Sequence, residues 1–456
     1  MPATTRLHRT PLNRALADRY RCPESFAEAL VAEPLSSDPS WFRFGDRIWC
    51  YGQHSSKHPP GSGQSCPDLN GDATVYQGRL LLPFDPTQII ENLRCEVYAH
   101  AANEGPAAAG PKGLSRRVYY SVRPLLPVSI RAVLQRIYLR DWNNISFPNW
   151  PVDVTVEDLL EKLLFLSMTA AQLDKVPFIW FWPDGAPSAA ILTHDIESSA
   201  GRNFCGSLMD IDESFGFRSS FQVVPEERYD VSPSFLADIR SRGNNINIQD
   251  LNHDGYLFDN LIEFSSRVKR INQYGRKFGA KGFRSAVLYR NLNWYDRLEF
   301  DYDMSVPNVG HLEPQRGGCC TVFPYFIGHI LELPVTTTQD YSLFHILREY
   351  SLDLWKAQTG IVEAKHGLLS FITHPDYLRE SRAQKTYCAL LAFLRQRSQE
   401  RGTWVTTADE VNEWWRQRSQ MKLVCQDGAW RIEGHSKERA RIAYATKRGD
   451  SVVYSW

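Results

Sequence analysis

No charge of one sign is in excess: 52 lysines and arginines stand against 52 aspartates and glutamates. A nucleic-acid binder usually carries a basic surplus, so the balance argues against that class and no nucleic-acid partner is expected. No stretch approaches the roughly 18 apolar residues that a membrane-spanning helix needs. The opening MPATTRLHRTPLNRALADRYRCPESF is polar and Arg-rich and has no apolar run of signal-peptide length. With neither span nor signal, the expected compartment is the cytoplasm. Repeats at solenoid or propeller periods are lacking. Cysteine is present, but nine is an odd number. The spacing does not repeat, so reduced thiols are expected rather than a disulfide framework.

What is present is a chain of 456 residues, 43% hydrophobic and 23% charged. That is ordinary globular composition and enough length for two or three domains. Residues 1–114 alternate short β-like runs with turn-rich segments and read as a mixed or β-rich region. Its stretch AANEGPAAAGPKG near 101–113 has linker composition. Residues 115–187 form a helical connecting region. Its basic amphipathic stretch 115–141 fits a peripheral membrane contact or, as the commoner case, a helix packing one domain on another. From 188 to 420 short apolar runs alternate with helical stretches. The runs are AAILTHDIE, RSSFQVVP, NNINIQDLNHD, GFRSAVLY, FDYDMSV, ILELPVT, LLSFITHP and TWVTTADE. The alternation predicts an α/β fold with a parallel sheet, closed or nearly closed as a barrel. Residues 421–456 read as a small C-terminal β-appendage.

In such a sheet the active site forms at the C-terminal strand ends. Asp195 and Glu197 end the first run, and Gln249, Asp250 and His253 the third. Arg284 lies in the fourth run and Asp303 in the fifth. Thr373, His374 and Asp376 end the seventh. Alternation in THDIE sends Asp195 and Glu197 one way and His194 the other. Two carboxylates on one face repel unless a cation lies between them. A metal with one carboxylate as ligand and the other as base resolves the conflict. Gln249 and His253, four apart, suit two ligands on one turn or across a tight loop. His374 precedes Pro375, which turns the chain and presents the ring at the strand end, a position suited to a general acid.

The order of these motifs resembles the polysaccharide deacetylases of carbohydrate esterase family 4, which are distorted, incomplete (β/α) barrels. THDIE, QDLNHDG, GFRSAVLYRN, FDYDMSVP and LLSFITHPDY look like that family's five motifs in order. The resemblance implies a hydrolase that removes N- or O-acetyl groups from a carbohydrate or glycan precursor. It implies Asp195 as general base, Glu197 and His253 as metal ligands, and Gln249 in the place of a further ligand. Arg284 would hold Asp195 ionised, Asp303 would help set the local field, His374 would protonate the leaving amine, and Leu369 would line the acetyl pocket. The implied cofactor is a divalent metal, zinc first, with cobalt or manganese as alternatives. Glu197 stands where aspartate is usual and Gln249 where histidine is usual. An amide oxygen is a poorer zinc donor than imidazole, so the site is expected to be weakened, with Asp254 at hand to compensate.

The alternative is a non-catalytic carbohydrate-binding or scaffold protein on the same fold with a degenerate metal site. A glycoside hydrolase using Asp195 and a second carboxylate fits the strand-end histidines less well. Cys50, His54, His58 and Cys66 carry zinc-capable types at a spacing that matches no common finger. Cys319 and Cys320 read as buried inert thiols. Asp340, Tyr341 and His345 follow the sixth strand at the cleft rim, with no role assigned.

Overall fold

The computed structural model describes residues 7–8, 13–23, 26, 29–55, 66–101, 134 and 136–456. The segment 101–113, apart from residue 101, and the stretch 115–141 up to residue 133 lie outside them, as does His58. The chain forms two compact units, one of residues 1–105, 154–185 and 414–456, the other of 106–153 and 186–413.

The first unit is built of small sheets and helices, Asn13–Tyr20, Pro86–Arg94 and Thr155–Ala170 among them. Leu7–His8, Ala29–Ala32, Arg79–Leu82 and Thr74–Tyr76 make one sheet, in that order. Ser451–Ser455, Ile442–Arg448 and Lys175–Ile179 make another, and Lys422–Gln426 pairs with Ala429–Glu433. The helix Thr155–Ala170 buries an apolar face that includes Leu159, Leu160, Leu163 and Leu164. Each such side chain contributes roughly 1.5–3 kcal/mol by leaving water.

The second unit carries a nine-stranded sheet. Its strands are β1 Ala189–Ile196, β2 Ser220–Val223, β3 Asn245–Gln249, β4 Gly282–Arg284, β5 Tyr302–Asp303, β6 Tyr325–Ile327, β7 Ile330–Glu332, β8 Leu368–Thr373 and β9 Trp404–Thr406. The order is β6-β7-β5-β4-β3-β2-β1-β8, with β9 beside the first half of β1. Every pairing is parallel except β6 with β7. All eight residues of β1 are buried, as a central strand covered on both faces requires. The path is a curled, incomplete barrel. Between β7 and β8 side chains take the place of a ladder: Thr336 Oγ1 donates to the Leu368 carbonyl and Thr337 Oγ1 to that of Ser370, both at 2.8 Å.

Helices α1 Ser199–Ser214, α2 Pro233–Ser241, α3 Leu261–Phe278, α4 Asp353–Ala364 and α5 Ser381–Arg401 follow strands in the α/β manner. In α3 the buried residues Phe264, Val268, Ile271, Gly275 and Phe278 recur at helical spacing. Asn260 caps its start, and Gly279 ends it at φ +57°, where a side chain would be strained. Among the described residues no helix is long and apolar enough to cross a membrane. All nine cysteines are free thiols, with Cys319 and Cys320 fully buried.

Candidate active site

Parallel register brings the strand-end residues together. Arg284 stands beside Gln249, and His374 directly follows Thr373, the partner of His194. Asp195 is 4% exposed and each of its oxygens has a partner. Arg284 Nη1 donates to Oδ1 at 2.6 Å, and Gln249 Nε2 donates to Oδ2 at 3.0 Å. Arg284 is itself fixed by Thr193 Oγ1 at 2.8 Å and the Met304 carbonyl at 2.9 Å. Turning the Gln249 amide over would set oxygen against carboxylate oxygen, so its orientation is settled by Asp195.

Glu197 lies one residue past β1. Its Oε1 is 2.9 Å from His253 Nε2 and 3.6 Å from His374 Nε2. The closer contact is at ion-pair distance and is not a formed hydrogen bond. The Glu197 backbone N–H donates to Asp376 Oδ2 at 3.2 Å, and the Ser198 hydroxyl donates to Oδ1 of the same carboxylate. His253 sits in the loop after β3 at φ +55°. Arg228 donates to the carbonyls of Asn252 and His253 and pins that loop.

His374 is held by a residue whose role the sequence did not disclose. Asp340 Oδ1 accepts from its Nδ1 at 2.6 Å, and Oδ2 accepts from its backbone N–H at 2.7 Å. Burial alone would lower the ring's pKa. Asp340, then Glu197 and Asp195, outweigh burial and push it up to about 10. The ring is therefore an imidazolium at neutral pH. The only signal for Asp340 was an acid following a strand, and the irregular segment Leu333–Gln339 separates the two.

Three expected participants are elsewhere. Asp303 pairs in register with Glu332 and bonds to Ser305 and Tyr295. Tyr302, its neighbour on the opposite face, is the one that reaches Asn247 beside the site strands. Asp303 thus belongs to the other side of the sheet and sets no bond in this cluster. Leu369 is five residues from His374, an odd separation that puts it on the opposite face of β8. Phe371, of the same parity, packs on Trp355 of α4. The apolar residue on the face of His374 is Ile372, packed with Leu288 and Val335. Asp254 is committed to Arg267 at 2.7 Å, which, against the burial that would raise it, holds its carboxyl below the usual range. His194 faces the helices as alternation requires, with Nε2 2.9 Å from Asp212 Oδ2 and Nδ1 2.8 Å from Thr373 Oγ1. His54, of the quartet with Cys50, contacts Ser40 Oγ at 3.0 Å.

Among the described residues no three His, Cys, Asp or Glu side chains gather as a metal-holding group. Two do meet, Glu197 and His253. Gln249 Oε1 and His253 Nε2 are each buried with no hydrogen-bond partner among the described residues. Orphaned buried polar atoms are costly and rare. A carboxylate, an imidazole and an amide oxygen are a donor set that suits a divalent ion with some oxygen preference.

No family model and no curated protein matches the chain. Similar solved structures include polysaccharide, chitin and peptidoglycan deacetylases. A polysaccharide deacetylase from Mycobacterium smegmatis is 17% identical, with 52% of this chain and 93% of that one covered and a TM-score of 0.43. For the chitin deacetylase of the fungus Colletotrichum lindemuthianum the figures are 13%, 51%, 90% and 0.32. For the allantoinase Puue they are 10%, 52%, 92% and 0.42.

Proposed function

We propose that this chain is a metal-dependent hydrolase that removes an acetyl group, as amide or ester, from a carbohydrate. One observation carries the reading: Asp195 and His374, on adjacent strands, are each gripped by a dedicated partner of opposite charge. Arg284 Nη1 donates to Asp195 Oδ1 and His374 Nδ1 donates to Asp340 Oδ1, both at 2.6 Å. A base and an acid side by side at barrel strand ends are what acyl hydrolysis needs. The choice of a sugar rests on the resemblance of the five motifs.

Asp195 takes a proton from water as the oxygen attacks the acyl carbonyl carbon. The tetrahedral intermediate then collapses, its bond to the leaving nitrogen or oxygen breaks, and His374 Nε2 gives that atom its proton. Acetate and the free amine or hydroxyl leave. Glu197, His253 and Gln249 would hold the divalent ion. When bound, the ion polarises the carbonyl and acidifies water.

The non-catalytic alternative has one observation in its favour, the Gln249 amide turned to Asp195 in place of an imidazole. The test is calorimetric titration of chelator-treated protein with zinc, cobalt and manganese, alongside acetate release from chitotetraose and an acetyl ester. One ion per chain and release from either substrate is the expected result. Gln249→His should tighten zinc by about tenfold, 1.4 kcal/mol. Ion binding with no release from any substrate supports the binding-protein reading instead.

A further inference from the structure

Directly after Asp340 the backbone leaves ordinary helical geometry. Ser342–Leu347 winds as a π-helix, a wide and poorly packed turn that is found mostly at functional sites. Tyr341 and His345, four residues apart, have ring centroids 5.3 Å apart. Tyr377, from the short turn after His374, completes the group. Its ring is 5.6 Å from Tyr341, 4.8 Å from His345 and 5.0 Å from His374. All three residues are partly exposed, while Ser342, Leu343 and Phe344 between them are buried. The three side chains thus lie at the edge of the core beside His374.

Packing alone does not account for the middle member. His345 Nε2 is buried and has no hydrogen-bond partner among the described residues. Burial, partly countered by Asp340 and Glu380, lowers the pKa of the ring, so it is neutral at pH 7. A neutral imidazole in an aromatic wall with one unspent nitrogen suits a ligand that has an apolar face and a hydroxyl edge. The wall also runs on from His374, since Tyr341 packs with Trp142 and Trp150 on the cluster of Leu139, Leu312 and Ile346.

We propose that Tyr341, His345 and Tyr377 form a subsite for a pyranose ring beside His374, the rings stacking on its C–H face and His345 Nε2 bonding one of its hydroxyls. The inference deepens the proposed hydrolase reading by naming residues that select the substrate, and it is testable apart from that reading. The probes are chitotriose and xylotriose, titrated calorimetrically into the full chain. Binding of one of them is expected. His345→Leu should weaken it about tenfold, and His345→Gln, which restores a donor and an acceptor, should recover most of the loss.

With 15N-histidine label, the resonance missing from His345→Gln identifies the His345 ring, and in the parent its Nε2 signal should move when the sugar is added. That measurement stands even if His345→Leu fails to fold. Binding of neither sugar by the parent, or an unmoved His345 signal at saturation, overturns the subsite. Sugar binding without acetate release leaves the subsite standing and removes the hydrolase reading.

Discussion

His374 Nδ1 lies 2.6 Å from Asp340 Oδ1, and the other oxygen of the same carboxylate takes the His374 backbone N–H. One acid thus fixes both the ring and the chain that carries it. The charge of that acid is what keeps the imidazolium protonated against burial. Asp340→Asn should keep the shape and lose the charge. Amide hydrolysis is expected to fall by about 10²-fold or more, the range of a lost general acid. Ester hydrolysis should fall less, because an alkoxide departs unaided more readily than an amide nitrogen. Comparing the two kcat values checks it, and equal losses would take Asp340 out of the acid's chemistry.

Asp195 and Arg284 are a buried ion pair, 2.6 Å apart and both nearly inaccessible. Removing one partner strands the other. Arg284→Met should destabilise the second unit by about 3–5 kcal/mol. The double variant Asp195→Asn with Arg284→Met should recover a good part of that, since no buried charge remains. Urea unfolding of the three proteins reads the difference. An Arg284→Met protein as stable as its parent would mean that the pair is not buried in solution.

Far from these groups in role, Asp303 and Glu332 stand in register on β5 and β7. Between two ionised carboxylates neither could donate. Glu332 Oε2 would then have no partner, and one proton between them removes the conflict. Burial, then Asp303, raises the Glu332 carboxyl well above its ordinary range. A carboxyl raised by folding stabilises fully below its unfolded pKa, and that contribution is lost as pH rises through the folded value. The parent should therefore lose stability from about pH 5 upward through this group. Glu332→Gln, which can still donate to Asp303 and accept from the Val306 N–H, should lose less. The gap in melting temperature between variant and parent should widen by about 2 °C or more between pH 5 and pH 8. A constant gap would mean that the pair holds no proton.

The strands could be read from the sequence because apolar runs alternate with helical stretches, and each run recurs as a strand of the curled sheet. Which face a side chain takes was legible on long strands and not on short ones. β1 has eight residues, and alternation there sends His194 to the helices and Asp195 to the site. β5 has two, too few for a pattern, and Asp303 falls on the other face. Leu369 comes from the family resemblance rather than from alternation, which on β8 puts it on the face opposite His374. Asp340 reaches His374 through an irregular segment with no period to follow. The Gln249 amide, expected as a ligand, spends its nitrogen on Asp195, a choice set by the neighbouring carboxylate that composition and spacing do not contain.

The account turns on Asp195 as base and His374 as acid, and acetate release by three proteins tests it most directly. Parent, Asp195→Asn and His374→Ala are each given an N-acetylated oligosaccharide and an acetyl ester, with circular dichroism confirming the fold. The parent should release acetate, and Asp195→Asn should lose about 10²–10⁴-fold on both substrates because its amide cannot accept a proton from water. His374→Ala should lose far more on the amide than on the ester. Full activity of Asp195→Asn on either substrate, or equal residual activity of His374→Ala on both, would contradict the account.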